Sequence, residues 1–570
     1  MTVLRDRVRC HMRMPEDEEL VVGTDLVLEP PPRHLVAAPF GTLLDDHFTM
    51  EDRVQLNGTA LSRLASWQAD EGAALTVGDA CLPWIWEVEL MSEVYLPVLR
   101  GVHGLLRVLE RSSVRHVEVR NCDPEMASCL SAELGAANLV VDVDRASAVP
   151  VPSYPSLLVN PWKRTLTARL RQGLVRPLGV PPMSRGNVYF LPYWNLLNLH
   201  RRLLDEPGLV PVHDPFMVPA GPLGWRLRAL ARGGWSGRPN ALQVARSTRR
   251  VSRVVKEPAT TAGKVSGLDE LVTVRSHRVL EQRAGDTLAM VRSMARALGA
   301  SGVRGAVLPF DSPPFARMVL TACRVAGRPS VLVQHGFHAE PNDPDKVEAD
   351  LVAVWSQRDR EALAGRRTGP IVVTGNPAAD HIRPTRIAAP RERTMILTDL
   401  TSRLSMWPSL RMTEEQLEMS LEALKRTRPG TSVLLRPHPG DWDLASYGKF
   451  VDRFPELEIE VDQASTIDQV IARCDLCLSG VSTATLQAAI AGLPVVFINP
   501  GGASRPWPFN GGDDGFVMAT DAAQLADVIP DALARRGELL AEPLLEAFGV
   551  SDDATGQIVD TVREFFARGT

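Results

Sequence analysis

From about residue 269 to the end, short apolar runs alternate with longer amphipathic stretches, and the connections between them are brief. Parallel strands need a crossover, and a helix is the usual one, so this pattern predicts parallel α/β layers. It gives a helix over 278–298, a strand over 305–309, a helix over 314–325 and a strand over 330–333. A strand over 350–355, a helix from Gln357 and a strand over 371–374 follow, closing on Gly375, Asn376 and Pro377. Residues 378–393, rich in Pro, Arg and Ala, lack periodicity and read as a linker. A second series then runs through strands at 394–398, 432–435, 456–461, 475–478 and 494–498. Helices at 413–428, 443–453, 466–473 and 482–491 separate them, and two more at 522–535 and 552–568 end the chain.

At 570 residues the chain exceeds one core and argues for three or four domains. Residues 186–193, a helix over 195–204 and residues 209–212 read as the opening of the first α/β unit. Earlier elements at 116–120, 125–134 and 138–143 suggest a further α/β domain. The expected division is therefore 1–175, an N-terminal α/β domain; 186–378, a first Rossmann-like domain with a basic insertion at 215–256; 392–548, a second; and 549–570, a C-terminal helix.

A net charge of −5 argues against a general nucleic-acid binder. No apolar run reaches the roughly 18 residues needed to cross a bilayer, and the first residues lack a signal peptide's apolar centre. The expectation is a cytoplasmic protein. The seven cysteines are scattered, which suits a reducing compartment. Cys474 and Cys477 have half-site spacing, but no second pair completes a zinc site, so both read as core. Between Pro215 and Lys256 there is no acidic residue, while Arg226, Arg228, Arg232, Arg238, Arg246, Arg249, Arg250 and Arg253 fall there with Trp225 and Trp235. Two readings stay open: a solvated loop, or a basic surface over 226–256 for an anionic membrane, lipid diphosphate or acidic glycan.

Three strand-ending turns carry the chemistry. Gln334, His335 and Gly336 close one apolar run; Arg436, Pro437, His438 and Pro439 close another; Ser479, Gly480, Val481, Ser482 and Thr483 close a third and open a helix. In open parallel sheets, ligands bind outside the carboxyl ends of the strands. The prolines beside His438 deny it helical continuation, and Arg436 has a fork suited to phosphate. Gly480 permits a tight turn, and the Ser482–Thr483 helix start is an anion site built from backbone N–H groups. A neutral imidazole at His335 is a natural base for an acceptor hydroxyl, and Gly336 allows close backbone approach. His338 and Asp46, from Asp45-Asp46-His47, are alternative bases. Gln334, Asn376, Gly501 and Gly502, with the glycine-rich 499–502 and 511–515, are candidate donor or acceptor contacts.

These residues resemble the GT-B nucleotide-donor transferases from about residue 186 onward, nearest to bacterial capsule polysaccharide glycosyltransferases, CDP-glycerol glycerophosphotransferases and polysialyltransferases. The matches are His335-Gly336, Arg436/His438/Pro439 and Ser482/Thr483. The resemblance implies a GT-B-like pair of Rossmann-type domains, with His335 as base and with Arg436, His438, Ser482 and Thr483 holding the donor phosphate. It also implies a CMP- or CDP-linked donor, with UDP open, and a glycan or lipid-linked acceptor. One departure is Gln487, where many such enzymes carry a ribose-gripping glutamate. Asp142 and Asp144 have the spacing of a metal-binding DxD pair, as do Asp343/Asp345 and Asp441/Asp443, but this spacing arises often by chance. The expectation is therefore a metal-independent, cofactor-free, inverting transferase, cytoplasmic or peripheral at the inner membrane face. A sugar-nucleotide epimerase of the same two-lobed fold and a non-catalytic partner in glycan assembly are the alternatives.

Overall fold

The computed structural model describes residues 7–11, 25–27, 42–43, 50–110, 116–120, 122–143, 187–191, 196–212, 246–248, 265–300, 302–336, 348–364, 369–380, 382, 392–398, 409–438, 447–480, 482–500, 517–535, 545–546 and 548–568. Three parallel sheets organise them. The first holds β1 (Arg7–His11), β2 (Asp25–Val27), β3 (Thr42–Leu43), β6 (His116–Arg120) and β7 (Val140–Val143) in the order β3-β2-β1-β6-β7; β4 (Thr76–Val77) and β5 (Ala80–Cys81) form a separate hairpin.

The second sheet holds β8 (Val188–Phe190), β9 (Pro211–Val212), β10 (Ala306–Leu308), β11 (Ser330–Val333), β12 (Leu351–Val354) and β13 (Ile371–Val373), ordered β13-β12-β11-β10-β8-β9. The third holds β14 (Arg393–Leu397), β15 (Ser432–Arg436), β16 (Glu458–Val461), β17 (Leu476–Ser479), β18 (Val495–Ile498) and β19 (Val517–Ala519), ordered β16-β15-β14-β17-β18-β19. Every pairing in the second and third sheets is parallel. The third has the 3-2-1-4-5-6 order of a Rossmann unit and the second the related 2-1-3-4-5-6 order. The fold is thus a GT-B-like pair of Rossmann-type units with an additional N-terminal α/β sheet. Central strands such as β11 and β17 are buried at every position. Sheets covered on both faces require that, and it explains why these strands read as unbroken apolar runs.

Helices connect and join these sheets: α1 (Met50–Glu71), α2 (Pro124–Ala136), α3 (Leu197–Leu204), α4 (Leu268–Ala300), α5 (Pro314–Ala326), α6 (Thr483–Ile490) and α7 (Ala554–Arg568). Asp123 caps α2 by accepting from Met126 N–H, and Gly327, at φ +61°, ends α5 in the left-handed conformation. One apolar cluster runs from Leu64, Trp67 and Tyr95 through Leu271 and Leu280 of α4 to Leu308 and Val352 in the second sheet. The N-terminal layer therefore packs directly on the first Rossmann unit.

Charge complementarity marks the same interface. Arg275 pairs with Asp123 at 2.7 Å, Arg278 with Glu125 at 2.5 Å, Arg283 with Glu93 at 2.7 Å and Arg317 with Glu87 at 2.6 Å. All four arginines lie on α4 or α5 and all four acids between residues 87 and 125. Burial pushes the Glu89 carboxyl up to about 8, against the opposing charge of Arg283.

The chain crosses between the Rossmann units twice. Gly375 and Gly549, at φ +86° and +66°, lie where the two crossings meet, and Asn376 N–H donates to Gly549 O at 2.7 Å. A side chain on Gly549 would collide with Trp355 O. Asp380 accepts from Ala554 and Thr555 N–H and so caps α7. That helix returns to the first unit, where Ile558, Val562 and Phe566 pack with Phe190, Leu199 and Val331. Among the described residues no helix is long and apolar enough to cross a membrane.

Candidate functional site

The carboxyl edge of the second sheet presents the turn after β11. Gln334 is buried and its amide is fully engaged within the turn. Nε2 donates to Gly336 O at 3.0 Å and Asp359 Oδ1 at 3.2 Å, while Oε1 accepts from Trp355 N–H at 2.8 Å. Trp355 Nε1 in turn donates to Gln334 O at 2.9 Å. Gln334 thus shapes the turn, and the residue after it is the more exposed of the two. His335 is half-buried; its Nδ1 lies 2.6 Å from Pro309 O, and its ring meets the Phe310 ring edge-on at 5.4 Å. A carbonyl only accepts, so the proton resides on Nδ1 and the basic lone pair on Nε2.

The facing edge belongs to the third sheet. Its strand order reverses between β14 and β17, whose carboxyl ends lead to Thr398 and Gly480. Such a reversal opens a ligand crevice. Arg436 ends β15 beside it, half-buried, with one Nη donating to Asp462 O at 2.8 Å. Burial lowers its pKa and the Asp462 charge opposes that, yet a guanidinium stays charged at any physiological pH. His438 follows, its carbonyl accepting from Gln463 Nε2 at 2.8 Å.

Ser482 is the N-cap of α6, its hydroxyl accepting from Thr485 N–H at 3.2 Å and lying 2.8 Å from Thr485 Oγ1. Thr485 Oγ1 also reaches Ser479 Oγ and Gly480 O, at 2.9 and 3.0 Å. These hydroxyls close on one another. They leave the first-turn N–H groups of Thr483 and Ala484, which have no acceptor within the helix, for a ligand.

The two edges meet. A β-carbon placed on Gly336 would stand 3.7 Å from Thr483 Oγ1. His335-Gly336 and the start of α6, separated by over a hundred residues, therefore lie side by side where the two carboxyl edges approach.

Other sequence-derived candidates fall elsewhere. Asn376 is buried at the crossing, its Oδ1 accepting from Ala378 N–H. Gln487 is buried on α6. Asp142 pairs with His116 at 2.7 Å. Cys474 and Cys477 lie in the apolar cluster around β17, and burial pushes the Cys477 thiol far up. Of the basic stretch, residues 246–248 form a short helical turn, and Thr248 lies against Gly285 of α4. His338, Gly501, Gly502, Pro439, residues 45–47, Asp144, Asp343, Asp345, Asp441, Asp443 and most of 226–256 lie outside the described residues. Among the described residues no group of three or more His, Cys, Asp or Glu side chains is placed to hold a metal. Sequence reasoning missed Pro309, Phe310 and Asp359, which orient the His335 turn, and Thr398, buried at the crevice and 3.0 Å from Tyr447 Oη. None of these carries a local motif.

No protein-family model and no curated protein matches the sequence. Among solved structures, the chain is similar to MurG of Acinetobacter baumannii, with 13% identity and a TM-score of 0.39, over 67% of this chain and 100% of that one. It is similar to the UDP-GlcNAc 2-epimerase of Neisseria meningitidis bound to UDP-GlcNAc, with 11% identity and a TM-score of 0.41, over 66% and 99%. It is also similar to the wall teichoic acid polymerase TagF, with 10% identity and a TM-score of 0.37, over 72% and 99%.

Proposed function

We propose that the protein is a nucleotide-donor transferase, moving a sugar or polyol-phosphate group onto an acceptor hydroxyl of a surface polysaccharide or related glycoconjugate. The observation that supports this reading is the adjacency of the His335-Gly336 turn to Thr483 at the start of α6. So read, a proton acceptor and an anion-binding helix terminus adjoin each other. In this reading His335 Nε2 takes the proton from the acceptor hydroxyl as its oxygen attacks the donor. The bond to the nucleotide phosphate breaks and its electron pair leaves with that phosphate. Arg436, His438 and the Thr483 and Ala484 N–H groups stabilise the departing charge, within the turn built by Gly480 and Ser482.

These groups neutralise phosphate without a metal. With a sugar donor, a single displacement inverts the anomeric centre. A cytidine-linked donor is the favoured form and a UDP-linked one the alternative. The acceptor is a glycan or lipid-linked glycan, with the basic stretch 226–256 meeting an anionic membrane at its inner face.

His335→Ala tests the assignment. Transfer is expected to fall by about 10²–10⁴-fold, the usual contribution of a positioned base, while calorimetric affinity for CMP, CDP or UDP stays at the parent level. Normal turnover in the variant removes the mechanism, and lost nucleotide affinity recasts His335 as a donor ligand. Conversion of a UDP-sugar with no acceptor present would favour the epimerase reading.

A further inference from the structure

The Pro309 carbonyl favours the tautomer that makes His335 Nε2 basic, so what fixes residues 309–311 helps to fix the imidazole. Arg317, in the first turn of α5, is completely buried. Its Nε donates to Asp311 O at 3.0 Å, and one Nη donates to Glu87 Oε2 at 2.6 Å and to Trp84 O. Its guanidinium lies over the Trp84 ring, 5.0 Å from the centroid. Arg324, two turns later, also lies over Trp84, at 5.3 Å, and pairs with Glu348. Glu348 N–H donates to Asp311 Oδ2 at 2.9 Å. The segment that orients His335 is thus held at its far end by Arg317 directly and by Arg324 through Glu348, and both guanidinium groups lie over Trp84 of the N-terminal layer.

A fully buried guanidinium is a weak source of stability, because desolvation offsets its pairing. Stability alone would be served as well by an apolar residue at this fully buried position. What Arg317 adds is a rigid fork joining Glu87 and Trp84 to the base-orienting segment. We propose that Arg317, held by Glu87, is a positioning residue for His335, so that the N-terminal layer sets the base's tautomer. This rests on reading His335 as the base.

The full chain labelled with ¹⁵N in the histidine rings provides the test, with long-range ¹H–¹⁵N spectra and the His335 signals identified by their loss in His335→Ala. In the parent, His335 is expected in the Nδ1–H form. Arg317→Lys keeps the charge but loses the fork, and Glu87→Gln keeps the shape but weakens the brace. In Arg317→Lys, and to a smaller extent in Glu87→Gln, the tautomer ratio is expected to shift towards Nε2–H. A change of about fivefold corresponds to the worth of one ordinary hydrogen bond. Circular dichroism should report an unchanged fold, and if Arg317→Lys does not fold, Glu87→Gln alone decides. An unshifted His335 tautomer in folded variants overturns the proposal, as does a parent already in the Nε2–H form. A shifted tautomer alongside normal transfer by His335→Ala would support the link and remove the base assignment, so the two failures are distinguishable.

Discussion

The two walls of the proposed cleft are built on opposite plans. On the first, the side chains of Gln334, Asp359 and Trp355 lock a turn so that one imidazole is presented in one orientation. On the second, Ser479, Ser482 and Thr485 spend their hydroxyls on one another, leaving backbone N–H groups and a nearby arginine as a spread-out positive field. Proton transfer needs one atom placed to within hydrogen-bond reach. Binding a phosphate needs only enough donors around it, and it tolerates the loss of one. Damage to the first wall should therefore be all-or-none in rate, and damage to the second graded in affinity.

The strongest challenge to this contrast is Gln334→Leu. It removes the Gln334 hydrogen bonds to the Trp355 amide and to Asp359 from a buried turn, each lost buried bond costing about 1–3 kcal/mol, so a fall in Tm and a loss of transfer are expected together. Unchanged Tm and turnover would show that the first wall is not locked as described. Arg436→Ala should cost about 1.5–3 kcal/mol of nucleotide binding, the usual range for a charged hydrogen bond, with Tm little altered and the rate at saturating donor lowered in part, since the same charge steadies the departing phosphate. Calorimetry with CDP and UDP would read this, and a variant with parental affinity would place the donor elsewhere. Ser482→Ala should have the smallest effect. A lost N-cap costs about 1 kcal/mol of stability, and because the hydroxyl is turned into its own turn, nucleotide affinity should barely move. A loss as large as that of Arg436→Ala would make Ser482 a direct phosphate ligand and erase the contrast.

Much of the two Rossmann units was legible because parallel strands covered on both faces must be apolar throughout. The strand expected over 330–333 is β11 itself, that expected at 432–435 stops one residue short of β15, and that expected at 475–478 is β17 shifted by one residue. The N-terminal sheet was less legible. Residues 116–120 were read as a strand, and β6 covers them, but β1, β2 and β3 were not anticipated. They are short, and the polar residues interleaved in segments such as RVRCH hide the alternation. His335, Arg436 and Thr483 lie at or just after strand ends and could be found by that rule. Gln334 and Asn376 obey the same rule and yet are buried, because position after a strand says nothing about which way a side chain turns.

The sequence by itself determined the alternation of elements, the turns that end the strands and the caps that start the helices, since each depends on residues a few positions apart. Tertiary structure decided which turns face each other, that α7 returns to the first unit under the cap of Asp380, and that Arg317 meets Glu87 across 230 residues of chain. Periodicity records that a face is buried but not against what. A buried polar group must find a partner, and the identity of that partner is set only when the layers close.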